Sequence, residues 1–202
     1  MKGTHIITPN EPQLSGISLV GKRDIDSAVE GLSTHLHPGA IEIVYLHKGI
    51  QYYDVENQLY RVYGGDIFIT FPDEYHSTAE YPQEKSSLYW IQLDLRNTDR
   101  FLGLDRQSSS VLIAALKGLK RRHFKGNATC KRIIDDILKA YRSNNELKYL
   151  IICHLVQSFL LLILDCEKGC SSFAVTDDIA RAVRLIDTAF HERLSIDRKS
   201  VV

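Results

Sequence analysis

The chain has 202 residues, 25 lysines and arginines against 25 aspartates and glutamates, and a formal net charge of zero. That length suits one sizeable core with an appendage rather than two full independent domains, and the balanced charge excludes whole-chain electrostatic attraction to nucleic acid or to an anionic membrane. Four cysteines (Cys130, Cys153, Cys166, Cys170) lie in the second half, and the opening Met1-Lys2-Gly3-Thr4-His5 has no secretory apolar run, so a reducing, cytoplasmic location is expected. Cys166 and Cys170 have no partner pair at zinc-site spacing and read as free thiols.

Residues 17–95 consist of short β-branched and aromatic runs broken by turn residues, the pattern of an all-β sandwich or barrel. Residues 40–46 form an apolar run, residues 51–55 and 59–62 flank the polar Glu56-Asn57-Gln58, and Gly64-Gly65 turns the chain into residues 66–70, where Pro72 ends the strand. Residues 87–95 supply a later strand. Consecutive hairpins of this kind need a closed or doubly sheeted arrangement to hide their edges.

After the polar segment 97–110 the period changes. A helix is expected over 111–124, and its basic run Lys117, Lys120, Arg121, Arg122 and Lys125 reads as a solvated face. Cys130, Ile133, Ile134, Ile137, Leu138 and Tyr141 then recur at helical spacing. Following Asn144-Asn145, residues 146–166 are apolar on two faces: Leu147, Leu150, Ile151, Leu155, Phe159 and Leu162 make one stripe, and Ile152, Val156, Leu160 and Ile163 the other. Two apolar faces imply two neighbours, the barrel and a second subunit. The most apolar stretch, 149–164, is shorter than the ~20 residues that span a bilayer, so no membrane role is expected. Residues 169–173 read as a linker, and Thr176 caps a third helix with the stripe Ile179, Ala182, Val183, Ile186 and Phe190.

His35-x-His37 places two imidazoles on one face of a strand, and Glu42 and His76 complete a set of three nitrogens and one carboxylate suited to a divalent metal (Zn, Ni, Fe or Mn). Without a metal, the same residues would line a polar pocket for a small effector. Tyr53 and Trp90 are candidates to stack on such a ligand, and Thr78 shares the strand alternation of His76.

His35-x-His37-x4-Glu42-x6-Gly49 resembles the first motif of the cupin superfamily, and residues 65–76, from Gly65-Asp66 through Pro72 to His76, resemble the second. Asp73-Glu74-Tyr75 replaces the glycine-containing turn of metal-binding cupins, which alters the approach of His76. Glu42-Ile43-Val44-Tyr45, Gly64-Gly65-Asp66-Ile67 and Pro72-x3-His76 are more similar to the N-terminal cupin of AraC-type transcription regulators. Residues 181–196 resemble the first helix of that family's double helix-turn-helix module. The resemblance implies an α+β chain: a cupin (double-stranded β-helix) effector-binding barrel over 1–108, a helical dimerisation hairpin over 109–170, and a linker with the first helix of an incomplete DNA-binding module over 171–202. It further implies a small-molecule effector bound by His35, His37, Glu42, His76, Thr78, Tyr53 and Trp90, a homodimer, and DNA contact only in the full-length protein. A metal-dependent cupin enzyme, a dioxygenase or isomerase with the same four ligands, is the alternative.

Overall fold

The computed structural model describes residues 3–169 apart from residue 98. Eight strands precede or interleave with three α-helices: β1 (His5–Ile7), β2 (Ile17–Ile25), β3 (Ala40–Val55), β4 (Gln58–Tyr63), β5 (Asp66–Thr70), β6 (His76–Ser77), β7 (Ser86–Asp94), α1 (Arg106–Lys117), β8 (His123–Lys125), α2 (Thr129–Tyr141) and α3 (Lys148–Glu167). All strand pairs are antiparallel. The fold is α+β, as expected: an antiparallel sheet with three helices.

The spine is β3. The two runs separated in the sequence by residues 47–50 are one 16-residue strand. Its first half pairs with β5 and β7, and its second half with β4 and β6. The register with β7 shifts between Leu46 and Lys48. Such a bulge bends a strand and shifts its alternation, which lets one strand serve two walls of a rolled sheet. The β3–β4 hairpin closes through Glu56 and Asn57, both at positive φ (53° and 66°), the backbone of a two-residue turn matched to sheet twist.

Alternation along these strands builds two cores. Ile41, Ile43, Tyr45, Ile67, Ile69, Tyr89, Ile91 and Leu93 face the helices and share one cluster with Ile134, Ile137, Ile152, Val156 and Leu160. Val44, Leu46, Tyr53, Val55, Phe68 and Leu88, with Trp90 against them, form a second cluster inside the rolled sheet. A half-buried antiparallel strand normally shows one wet face, so burial on both faces explains why residues 40–46 read as a continuous apolar run.

The helices depart from expectation in two places. Asp105 caps α1 by accepting from Ser108 N at 2.9 Å, and the helix stops at Gly118. It therefore starts before residue 111 and ends before residue 124, the bounds expected, and residue 108, where the sequence suggests the barrel ends, lies inside it. Residues 123–125 instead form β8 on the edge of β5. The basic run is not a helical face: Arg122 pairs with Glu74 and Lys125 with Asp66. The second departure concerns α3. Its 20 residues are long and apolar enough to cross a membrane by length and composition. Ile152, Cys153, Val156, Phe159, Leu160, Ile163 and Cys166 are nevertheless buried in the protein's own core. Phe159 is fully buried although its stripe-mates Leu147 and Leu150 are exposed, as is Leu161. Cys130, Cys153 and Cys166 are buried free thiols, and burial pushes Cys130 up to about 11, leaving it protonated and unreactive. Cys170 and the third helix expected after Thr176 lie outside the described residues.

Candidate functional site

Three segments bring the cluster together. His35 and His37 come from the irregular approach to β3 rather than from a regular strand, which corrects the sequence expectation. His35 and His76 face each other across a two-bond antiparallel bridge, His35 N to His76 O at 3.0 Å and His76 N to His35 O at 2.9 Å. Glu42 lies on β3 with Thr70 opposite on β5 and Gln92 opposite on β7. It occupies the face that carries Val44 and Leu46, so it belongs to the interior of the rolled sheet.

The geometry is compact. Ring centroids stand 4.2 Å apart for His35 and His76, 5.0 Å for His37 and His76, and 5.2 Å for His35 and His37. One nitrogen from each of the three imidazoles lies within 4.8 Å of the other two. Glu42 Oε2 is 3.4 Å from His37 Nε2, and Oε1 is 3.8 Å from His76 Nε2. His35 Nδ1 lies 2.7 Å from Ser33 O, and His76 Nδ1 lies 3.3 Å from Glu74 O. A backbone carbonyl can only accept, so in both rings Nδ1 is the donor, and in a neutral ring that leaves the Nε2 lone pair free. In each case the carbonyl belongs to the residue two before the histidine.

Electrostatics separates the roles. Burial alone would raise the Glu42 pKa, but hydrogen bonds from His37 and Gln92, together with the charge of the histidines, outweigh it and hold the carboxyl below its ordinary value. Burial, reinforced by His35 and His37, lowers the His76 pKa against the opposing pull of Glu42, which favours the neutral ring. A carboxylate held toward its ionised form beside three clustered imidazoles is the donor set a divalent cation takes. Two buried atoms here have no protein partner: His76 Nε2 and Thr70 Oγ1.

Of the outer candidates, Tyr53 stacks on Phe68 with centroids 4.6 Å apart, and burial and the Glu42 charge raise its pKa. The Trp90 indole lies across Gly21, where a Cβ would stand 2.3 Å from the ring. Both belong to the interior core beneath Glu42. Thr78 is different: its hydroxyl donates to Tyr81 O at 2.8 Å and accepts from Leu32 N at 2.9 Å. It fastens the 31–32 segment and is not part of the cluster's lining. Sequence reasoning missed Gln92, whose Nε2 donates to Glu42 Oε2 at 2.6 Å and lies 3.2 Å from His37 Nε2. It also missed Thr70. Only the β3–β7 and β3–β5 registers reveal either residue, and register was not readable from the sequence.

No curated protein matches the sequence. Among solved structures, the cupin domain of Schizosaccharomyces pombe Cnp3 is similar at 15% identity and a TM-score of 0.36, over 45% of this chain and 63% of that one, so this chain spans less than two thirds of it. KdgF from Halomonas sp. is similar at 21% identity and a TM-score of 0.34, over 48% and 80% of the two chains. The pirin YhhW of Escherichia coli, solved in complex with nickel(II), is similar at 21% identity and a TM-score of 0.36, over 43% and 40%. Residues 27–151, which include all four cluster residues, β3 to β8, α1 and α2, match the AraC-like ligand binding domain, and the chain belongs to that family.

Proposed function

We propose that the chain senses a small-molecule effector inside the rolled sheet at His35, His37, Glu42 and His76, and that it is a sensor rather than an enzyme. The observation that carries this reading is the pair of buried, unpartnered atoms, His76 Nε2 and Thr70 Oγ1, beside a charged Glu42. A buried polar group left unpaired costs about 1–3 kcal/mol, so such atoms persist where a ligand completes them. Tyr53 and Trp90 supply apolar surface on the same interior. The donor set fits a divalent metal (Zn, Ni, Fe or Mn), which His35, His37, His76 and Glu42 would hold. Such an ion would supply a fixed positive charge and open coordination positions for an anionic or hydroxylated effector. Gln92 orients Glu42, and the carbonyls of Ser33 and Glu74 orient His35 and His76.

The same reading assigns homodimerisation to the outer face of α3. Leu147, Leu150 and Leu161 are exposed there, and Val111 of α1 is exposed beside a groove of about 410 Å³ lined by Leu104, Val111, Leu161 and Leu164. Exposed leucines repeated along one helix face, beside an apolar groove, are the kind of surface that marks an interaction site.

Thermal unfolding with Ni²⁺, Zn²⁺ and a metabolite panel tests the sensing site. A ligand at 100 times its Kd stabilises by about 2.7 kcal/mol, so binding raises the melting temperature. The shift is expected in the parent protein and lost in His76→Ala. A ligand that stabilises both proteins equally would place the site elsewhere.

A further inference from the structure

Where the sequence departs from the glycine-containing turn, residues 71–75 carry a different device. The Glu74 carboxylate accepts from Arg122 Nη1 at 2.7 Å and Nη2 at 2.8 Å, a two-pronged pair, and from Phe71 N at 2.9 Å. Both side chains are 18% exposed, so the pair is largely shielded from solvent screening. The Arg122 guanidinium also sits over the rings of Phe71, at 5.1 Å, and Tyr60, at 5.7 Å. Its own backbone is fixed to the barrel, because Arg122 O accepts from Ile69 N at 2.8 Å.

Glu74 therefore works in two directions. Its side chain is held by Arg122, and its main-chain carbonyl receives Nδ1 of His76. The neighbouring Asp73, at φ 65°, donates its N–H to His37 O at 3.3 Å and accepts from Gly39 N at 3.0 Å. One loop thus sets two of the three histidines. On the other side, Arg122 stands one residue before β8, and α2 begins at Thr129.

We propose that Glu74, gripped by Arg122, is the positioning residue of the histidine cluster, and that the pair transmits occupancy of that cluster to the segment leading into α2. The proposal rests on the reading of the cluster as the sensing site. Arg122 acts through Glu74 on His76, and by thermodynamic reciprocity a ligand that tightens on His76 must tighten the Arg122 segment. A clamp that only stiffened the loop would not select which His76 nitrogen is free.

The test uses the whole chain as parent, Arg122→Ala and Arg122→Lys, each checked for folding by circular dichroism. Imidazole ¹⁵N shifts, read without added metal, should show His76 as a single Nδ1–H form in the parent and a mixture in Arg122→Ala. Arg122→Lys keeps the charge but loses the fork, and should restore the parent pattern in part. Titration with Ni²⁺ alone should give an affinity about 10–100-fold lower in Arg122→Ala, the usual cost of losing an orienting partner. Amides 122–125 should exchange more slowly on Ni²⁺ addition in the parent and not in Arg122→Ala. A folded Arg122→Ala with the parent's His76 form and Ni²⁺ affinity overturns the positioning role, and unchanged exchange in the Ni²⁺-loaded parent overturns the transmission. If the parent binds no Ni²⁺, the metal version of the sensing site fails, while the ¹⁵N comparison still decides the role of Arg122 and Glu74.

Discussion

Asp66 opens β5 almost fully buried, yet it remains ionised. Burial alone would raise its pKa, but Lys125, His123 and the backbone N–H of Tyr63 outweigh that and hold it below the ordinary aspartate value. Because the folded pKa lies below the unfolded one, the stabilisation is fully present above about pH 4 and is lost as pH falls through the folded value. Asp66→Asn should therefore unfold more readily than the parent at neutral pH, by about 1–3 kcal/mol for the lost charge-assisted bonds. Chemical denaturation at several pH values should show that gap closing below pH 4; a gap independent of pH would remove the charge from the explanation. His35, His37, Glu42 and His76 are readable in the sequence because residue type and spacing alone mark them. Gln92, Thr70 and Glu74 are not, since glutamine, threonine and a loop glutamate carry no signal until strand pairing and the Arg122 contact place them.

At the level of elements, α3 illustrates how far periodicity reaches. Its existence and its two apolar faces follow from residues 146–166, but which face turns inward depends on how the helix rotates against α2 and the sheet, and Phe159 is buried while Leu147 and Leu150 of the same stripe are exposed. Leu150→Glu and Leu161→Glu should leave the fold intact and halve the mass in solution, measured by light scattering at tens of micromolar, a rough working range for a specific dimer. Phe159→Glu should instead unfold the chain, because a charge would be buried without a partner. A monomeric parent would refute the interface. Residues 118–125 were illegible for another reason: a basic run with aromatic and apolar members suits a helix, and only the free edge of β5 and the carboxylates of Asp66 and Glu74 draw it into a strand.

Over the whole molecule, sheet and helices divide one core between them, Tyr89 and Ile91 packing in the same cluster as Ile137 and Val156. Loss of the helices would expose the back of β3, β5 and β7. Unfolding followed by Trp90 fluorescence, which reports the sheet interior, and by far-ultraviolet circular dichroism, dominated by the helices, should give coincident transitions. Separate transitions would mean that the barrel stands without its helices. The division of side chains has an arithmetic form. Along β3 before its bulge, β5 and β7, even numbers point into the interior of the rolled sheet, where we propose the effector is sensed (Glu42, Val44, Leu46; Phe68, Thr70; Leu88, Trp90, Gln92), and odd numbers point to the helices (Ile41, Ile43, Tyr45; Ile67, Ile69; Tyr89, Ile91, Leu93). Point substitution at an even position can retune what is sensed without touching the helical core. A single-residue insertion or deletion in one of these strands exchanges the two sets at once. Descent with change of effector is thus open to this chain by replacement, and closed to it by slippage.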